Sequence, residues 1–218
     1  GKVVVIDPGH DGGNASHPDL ISRQVWAGNR WKDCDTAGAE THGGYEEPAY
    51  TFDVARRLAR RLRQLGAHVV LTRTTNSGVG PCIDRRAGIG NRAHADAAIS
   101  IHADGNDAAG ARGFHVIRPL LVPGVNDVAI APSKRLAFAV RNAFRRGTPM
   151  PVSNYAGTGG IVARDDLGGL NLTVVPKVFI ETGNMRDARD AALLSRGAFR
   201  AREARALAAG LTLFLVSG

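Results

Sequence analysis

The 218-residue chain has 44% apolar residues, enough to bury a full core and on the long side for one domain. That content and its aliphatic runs exclude general disorder, and no stretch reaches the ~18–20 consecutive apolar residues of a membrane span. A formal charge of +8 predicts attraction to polyanions such as nucleic acid, anionic lipid or wall polymers. With no zinc-finger spacing and no aromatic RNA-binding motif, nucleic acid is not an expected partner.

The chain enters an apolar run at once: residues 2–6 (KVVVI) read as a β-strand. No basic n-region, apolar h-region or cleavage site precedes it, so no signal peptide is visible, and one already removed stays open. Residues 11–47 lack periodicity and are rich in Gly, Asn, Asp and His. So long a loop reads as functional or mobile. From Pro48 to Leu65, Val54, Ala55, Leu58, Leu62 and Leu65 share one helical face and arginines the other, with Gly66 as the stop. Strand-like runs follow at 68–72, 98–101, 113–117 and 177–181, and helical segments near 84–94, 133–146 and 198–215. A second Gly-rich loop covers roughly 147–173. Alternating strands and helices without repeat or linker predict one α/β domain over 1–218 around a largely buried sheet.

Cys34 and Cys82 are the two cysteines, both in Gly-, Asp- and Pro-rich segments. A disulfide, free thiols and metal ligation are all compatible with them. The disulfide is the expectation, and it requires an oxidising compartment.

Chemistry collects where strands end. Asp7-Pro8-Gly9-His10 follows the first strand, Ser100-Ile101-His102 ends the third and Glu181 ends the last. Open α/β sheets build sites at the carboxyl ends of their strands, so His10, His102 and Glu181 are expected on one rim. Two imidazoles and a carboxylate would make a His₂Glu zinc set, with a position left for water. Glu40, Glu46 and Glu47 are the carboxylate candidates; Glu47 precedes Pro48 at a helix start, where the dipole favours its charge, and Glu46 is its rival. Glu181 would then serve as general base and acid. Each residue also has an uneventful reading, as a turn or core histidine or a paired carboxylate, and Asp7 with Arg73 could be an ordinary ion pair. It is the conjunction that points to metal-assisted amide hydrolysis. His17, His42, His68, His94 and His115 lack this placement. A serine hydrolase has no G-x-S-x-G elbow to stand on, a phosphate loop is absent, and Cys82 has no evident base.

In these residues the sequence resembles the zinc-dependent N-acetylmuramoyl-L-alanine amidases, amidase type 3, over almost the whole chain. Val4 to His10 (VVIDPGH) is similar to the family's opening ligand strand. Glu47, followed by Phe52 to Leu58 (FDVARRL), resembles its ligand glutamate, and the spacing to Phe52 selects Glu47 over Glu46. Val69–Arg73 resembles the second strand, Ser100–Ala103 (SIHA) the third ligand, and Val178–Gly183 the strand of the catalytic glutamate. The resemblance implies a mixed, mostly parallel sheet flanked by helices on both faces. It also implies one Zn²⁺ held by His10, Glu47 and His102, with Glu181 catalytic. The substrate would be peptidoglycan, cut between muramic acid and L-alanine by a secreted protein of the periplasm or cell wall. A monomer is expected. A zinc peptidase acting within the stem peptide and a non-catalytic wall-binding regulator are the alternatives. Asp11, Asp104 and Asn184 depart from the family pattern, and the 11–46 stretch is longer than its usual link.

Overall fold

The structure is a computed structural model and describes residues 1–217. In chain order it contains β1 (Val3–Pro8), a 3₁₀ turn (Asn14–Ser16), α1 (Pro18–Ile21), β2 (Gln24–Trp26), β3 (Trp31–Asp33), α2 (Glu47–Gln64) and β4 (His68–Leu71). There follow α3 (Ile83–Arg92), β5 (Ala97–Asp104), β6 (His115–Pro119), α4 (Asp127–Gly147) and β7 (Ile161–Arg164). The chain closes with α5 (Gly168–Asn171), β8 (Lys177–Asn184), α6 (Ala188–Leu194) and α7 (Gly197–Val216). Six strands form one sheet in the order β4-β1-β5-β8-β6-β7. β6 runs antiparallel to β8, and the other neighbours are parallel.

β1 is apolar on consecutive residues because both of its faces are covered. Val4 and Ile6 enter the main core, with Val54, Leu58 and Leu62 of α2, Leu136 and Val140 of α4, and Leu207 and Leu211 of α7. Val5 points the other way, into a smaller cluster with Ala95, Ala98 and Val175. The arginines Arg56, Arg60, Arg61 and Arg63 of α2 are exposed, as its periodicity predicts. Among the described residues, no helix is long and apolar enough to cross a membrane.

One polar chain crosses this core. The Tyr50 hydroxyl lies 2.7 Å from both carboxyl oxygens of Glu203 on α7 and 2.7 Å from Thr182 Oγ1. Thr182 in turn donates to the His102 carbonyl at 2.9 Å. Three links need three protons, and an ionised Glu203 leaves the chain one short. Burial pushes the Glu203 pKa up to about 8, so the carboxyl holds the missing proton at neutral pH.

The stretch 11–47 departs from the expected structureless loop. It holds the 3₁₀ turn, α1 and the β2–β3 hairpin, elements of three or four residues, too short to leave a periodic signal. The Cys34–Cys82 disulfide closes it onto the approach to α3. β7 was likewise hidden in the Gly-rich 147–173 segment. β5 and β8 run beyond the expected ends, so His102 and Glu181 lie inside strands and are register partners.

Candidate active site

From β1 the chain passes through α2 to β4 on one side, then returns through α3 to β5 on the other. The direction of winding therefore reverses between β1 and β5, the position where such sheets open a crevice. Gly9 is tied there by its N–H to the Ile101 carbonyl (3.0 Å), and His10 takes a left-handed backbone, φ 56°. Glu47 is the first residue of α2, next to Pro48. Its carboxylate accepts from the Ala39 N–H (2.7 Å) and the Ala103 N–H (3.1 Å).

These placements bring the donor atoms of His10, Glu47 and His102 within 4.8 Å of one another. Glu47 Oε2 is 3.3 Å from His10 Nε2, and Oε1 is 3.0 Å from His102 Nδ1. The imidazole rings stand nearly perpendicular, 4.9 Å apart, and His102 stacks on Phe179. Two glycines make room. A Cβ at Gly9 would sit 2.2 Å from the His102 ring, and one at Gly38 would sit 2.8 Å from His10 Cδ2 and 3.0 Å from Glu47 Oε2. Glu40 and Glu46 are exposed, outside the cluster.

Behind the donors lies a layer of buried charge. His10 Nδ1 is 2.9 Å from Asp35 Oδ1 and 3.0 Å from the Thr36 carbonyl, so Nδ1 carries a proton and Nε2 is the nitrogen that faces the cluster. Arg86 donates to both Asp35 Oδ2 and Asp7 Oδ1 at 2.9 Å. Lys177 reaches Asp7 Oδ2 at 3.2 Å, and Ser100 and Thr72 hydroxyls complete the Asp7 shell. The ordinary Asp7–Arg73 ion pair that the sequence allowed is not formed: Arg73 instead donates to the carbonyls of Pro8, Gly9 and Pro48. Burial opposes charge on Asp7, yet Lys177 and Arg86 hold its carboxyl far below the usual range.

Glu181 lines the same cleft of about 390 Å³ as the three donors. Its Oε2 is buried without a hydrogen-bond partner. Burial, then the like charges of Glu47 and Asp104, push its pKa well above the ordinary carboxylate value. Glu47 goes the other way: burial alone would raise it, but His10 and His102 hold it well below. Two carboxyls in one cleft are thus driven apart, one kept as an anion and one able to hold a proton.

Of the remaining histidines, His17, His42, His68 and His94 are exposed. His115 is buried directly opposite Glu181 in the β6–β8 register, with Nδ1 unpartnered. Asp35 and Lys177 carried no signal as isolated sequence positions. Only the adjacency of Asp35 to Cys34 could have marked it.

The sequence pattern described as N-acetylmuramoyl-L-alanine amidase matches residues 4–213. The chain belongs to that amidase family. An N-acetylmuramoyl-L-alanine amidase of Mycobacterium tuberculosis is 38% identical over all of this chain and 88% of its own length. The crystal structure of the Mycobacterium smegmatis N-acetylmuramyl-L-alanine amidase superposes with a TM-score of 0.93 at 36% identity, covering 100% of this chain and 98% of that one. The apo enzyme of Mycobacterium abscessus gives 0.92 at 41% identity, with 99% of each chain covered. The chain spans 88% or more of the length of each of these three relatives.

Proposed function

We propose that residues 1–218 form one zinc-dependent catalytic domain in which His10, Glu47 and His102 hold the ion and Glu181 moves the proton. The reaction is hydrolysis of the amide between N-acetylmuramic acid and the L-alanine of the peptidoglycan stem peptide. The observation that carries it is the convergence of two imidazole nitrogens and a carboxylate within 4.8 Å, in a cleft shared with an unpartnered carboxyl oxygen. This donor set fits zinc, which takes three protein ligands in catalytic sites, better than calcium or magnesium, which prefer all-oxygen shells.

Bound there, zinc supplies Lewis-acid polarisation of a carbonyl and acidifies water. The chain's own residues do the rest. Asp35 and the Thr36 carbonyl accept hydrogen bonds from the Nδ1–H of His10 and fix its ring. The Ala39 and Ala103 amides hold the Glu47 carboxylate in place. Glu181, with Oε2 free of other bonds, accepts a proton from water in the cleft and returns it to the departing L-alanine nitrogen. A site of action outside the cytoplasm agrees with the Cys34–Cys82 disulfide.

Digestion of purified muropeptides followed by mass analysis tests the reading. Intact stem peptides with a free L-alanine amine are expected, lost on chelation and restored by zinc. Fragments cut inside the stem would make the chain a peptidase, an absence of turnover would make it a regulator, and full activity after complete metal removal would discard the ion.

Asp35→Ala tests the support of the ligand. Removing an outer partner of a ligating imidazole weakens metal binding by about 10–100-fold. Competition with a chromophoric chelator is expected to show that loss while the melting curve remains cooperative; unchanged affinity would remove Asp35 from the site.

A further inference from the structure

The chain contains two tryptophans, and the fold places them opposite each other. Trp26 of β2 is the register partner of Trp31 of β3. Their rings are 5.6 Å apart at 66°, and they remain 47% and 64% exposed. Strand alternation assigns the rest of the hairpin. Gln24 and Asp33, hydrogen-bonded to each other, share the outward face with the indoles, while Val25 and Lys32 point inward. Lys32 and Asp33 also line the cleft that holds His10 and Glu181, so the hairpin stands at the cleft mouth with its indoles beside it.

The hairpin is fixed. Lys32 donates to the Asp166 carbonyl (2.8 Å), Asn29 to that of Asp165 (2.7 Å) and Asn171 to that of Ala27 (2.9 Å). The disulfide at Cys34 begins where β3 ends. A cross-strand aromatic pair adds at most ~1 kcal/mol to a ribbon, and this ribbon is already anchored by the 165–171 segment and the disulfide. Two large indoles held in water therefore point to a surface that something covers. An aromatic face rimmed by an amide and a carboxylate suits a ligand with both C–H faces and polar substituents.

We propose that the Trp26–Trp31 face is a carbohydrate platform for the glycan strand of the substrate. The proposal rests on a peptidoglycan substrate, though not on the identity of the metal. The scissile amide joins a peptide to a lactyl group on a sugar, so a peptide engaged in the cleft leaves the glycan at its mouth. There the pyranose C–H faces stack on the indoles, and Gln24 and Asp33 meet the hydroxyl and N-acetyl groups.

Because both tryptophans of the chain lie in the platform, intrinsic tryptophan emission reports on it alone, without turnover. Titration of the metal-free protein with N-acetylglucosamine oligomers is expected to give a saturable shift in emission. Free stem peptide is expected to give none. The Trp26→Ala/Trp31→Ala variant is expected to raise KM on polymeric peptidoglycan about tenfold, or about 1.4 kcal/mol, with kcat/KM unchanged on a muramoyl peptide lacking flanking sugars. Trp26→Phe/Trp31→Phe, which preserves cross-strand packing, is expected to recover part of the loss. Emission unmoved by sugar overturns the platform even where the amidase reaction is intact. So does an equal loss on both substrates, emission that changes only with protein concentration (a second copy), or emission that changes only with anionic vesicles (a lipid surface).

Discussion

Glu181→Gln is expected to lower kcat by about 10²–10⁴-fold while zinc content and fold remain intact. The carboxyl lies on a central strand, but its buried Oε2 bonds to nothing, so the substitution removes no structural contact. It removes a burden instead. Burial and the charges of Glu47 and Asp104 raise the Glu181 pKa in the folded protein. A carboxyl whose folded pKa lies above its unfolded one costs stability as pH rises through that interval. The metal-free variant should therefore melt at the same or a higher temperature than the parent near neutral pH, and at the same temperature in acid, where both carry a neutral group. Lost turnover with gained stability is the signature of a residue kept for chemistry. Activity within tenfold of the parent would end its assignment as the proton carrier, and a lower melting temperature would recast it as structural.

Asp7→Ala carries the largest expected stability cost, about 3–5 kcal/mol. Arg86 and Lys177 are both buried against this one carboxylate; its removal leaves Arg86 with Asp35 alone and Lys177 as a buried cation with no anion beside it. The cost should be partly repaid in Asp7→Ala/Lys177→Met, where a flexible apolar chain fills the lysine's space. The pH dependence follows in sign. The folded pKa of Asp7 is depressed, so its contribution is present above the unfolded carboxylate pKa and is lost as pH falls below it. The parent should lose stability in acid more steeply than the variant. Urea unfolding across pH measures both effects, and a loss under about 1 kcal/mol would mean the cations find other partners.

Much of this was legible because each chemical group follows a run of apolar residues. Once 2–6, 98–101 and 177–181 read as strands, one rim was enough to gather His10, His102 and Glu181, and the structure puts β1, β5 and β8 side by side. Choosing Glu47 among three carboxylates took the family spacing to Phe52. The charge behind the site was not legible: Asp7 meets Arg86 across 79 positions and Lys177 across 170, and Arg73, the nearer cation by strand position, turns to backbone carbonyls instead. The hairpin escaped for a different reason. Its strands are three residues long, and what holds them are bonds to the 165–171 segment more than a hundred positions away.

Asp35 follows Cys34 directly, and Cys34 is bolted to Cys82 at the entrance to α3. The imidazole of His10 is thus oriented in part by a carboxylate that sits next to a covalent bond made after synthesis. With both thiols reduced, Asp35 would keep its bond to Arg86 but lose the covalent anchor beside it, and such anchors persist only where the surroundings oxidise them. Cleaving that one bond would therefore loosen the support of His10 from a distance, without altering any side chain of the cluster itself.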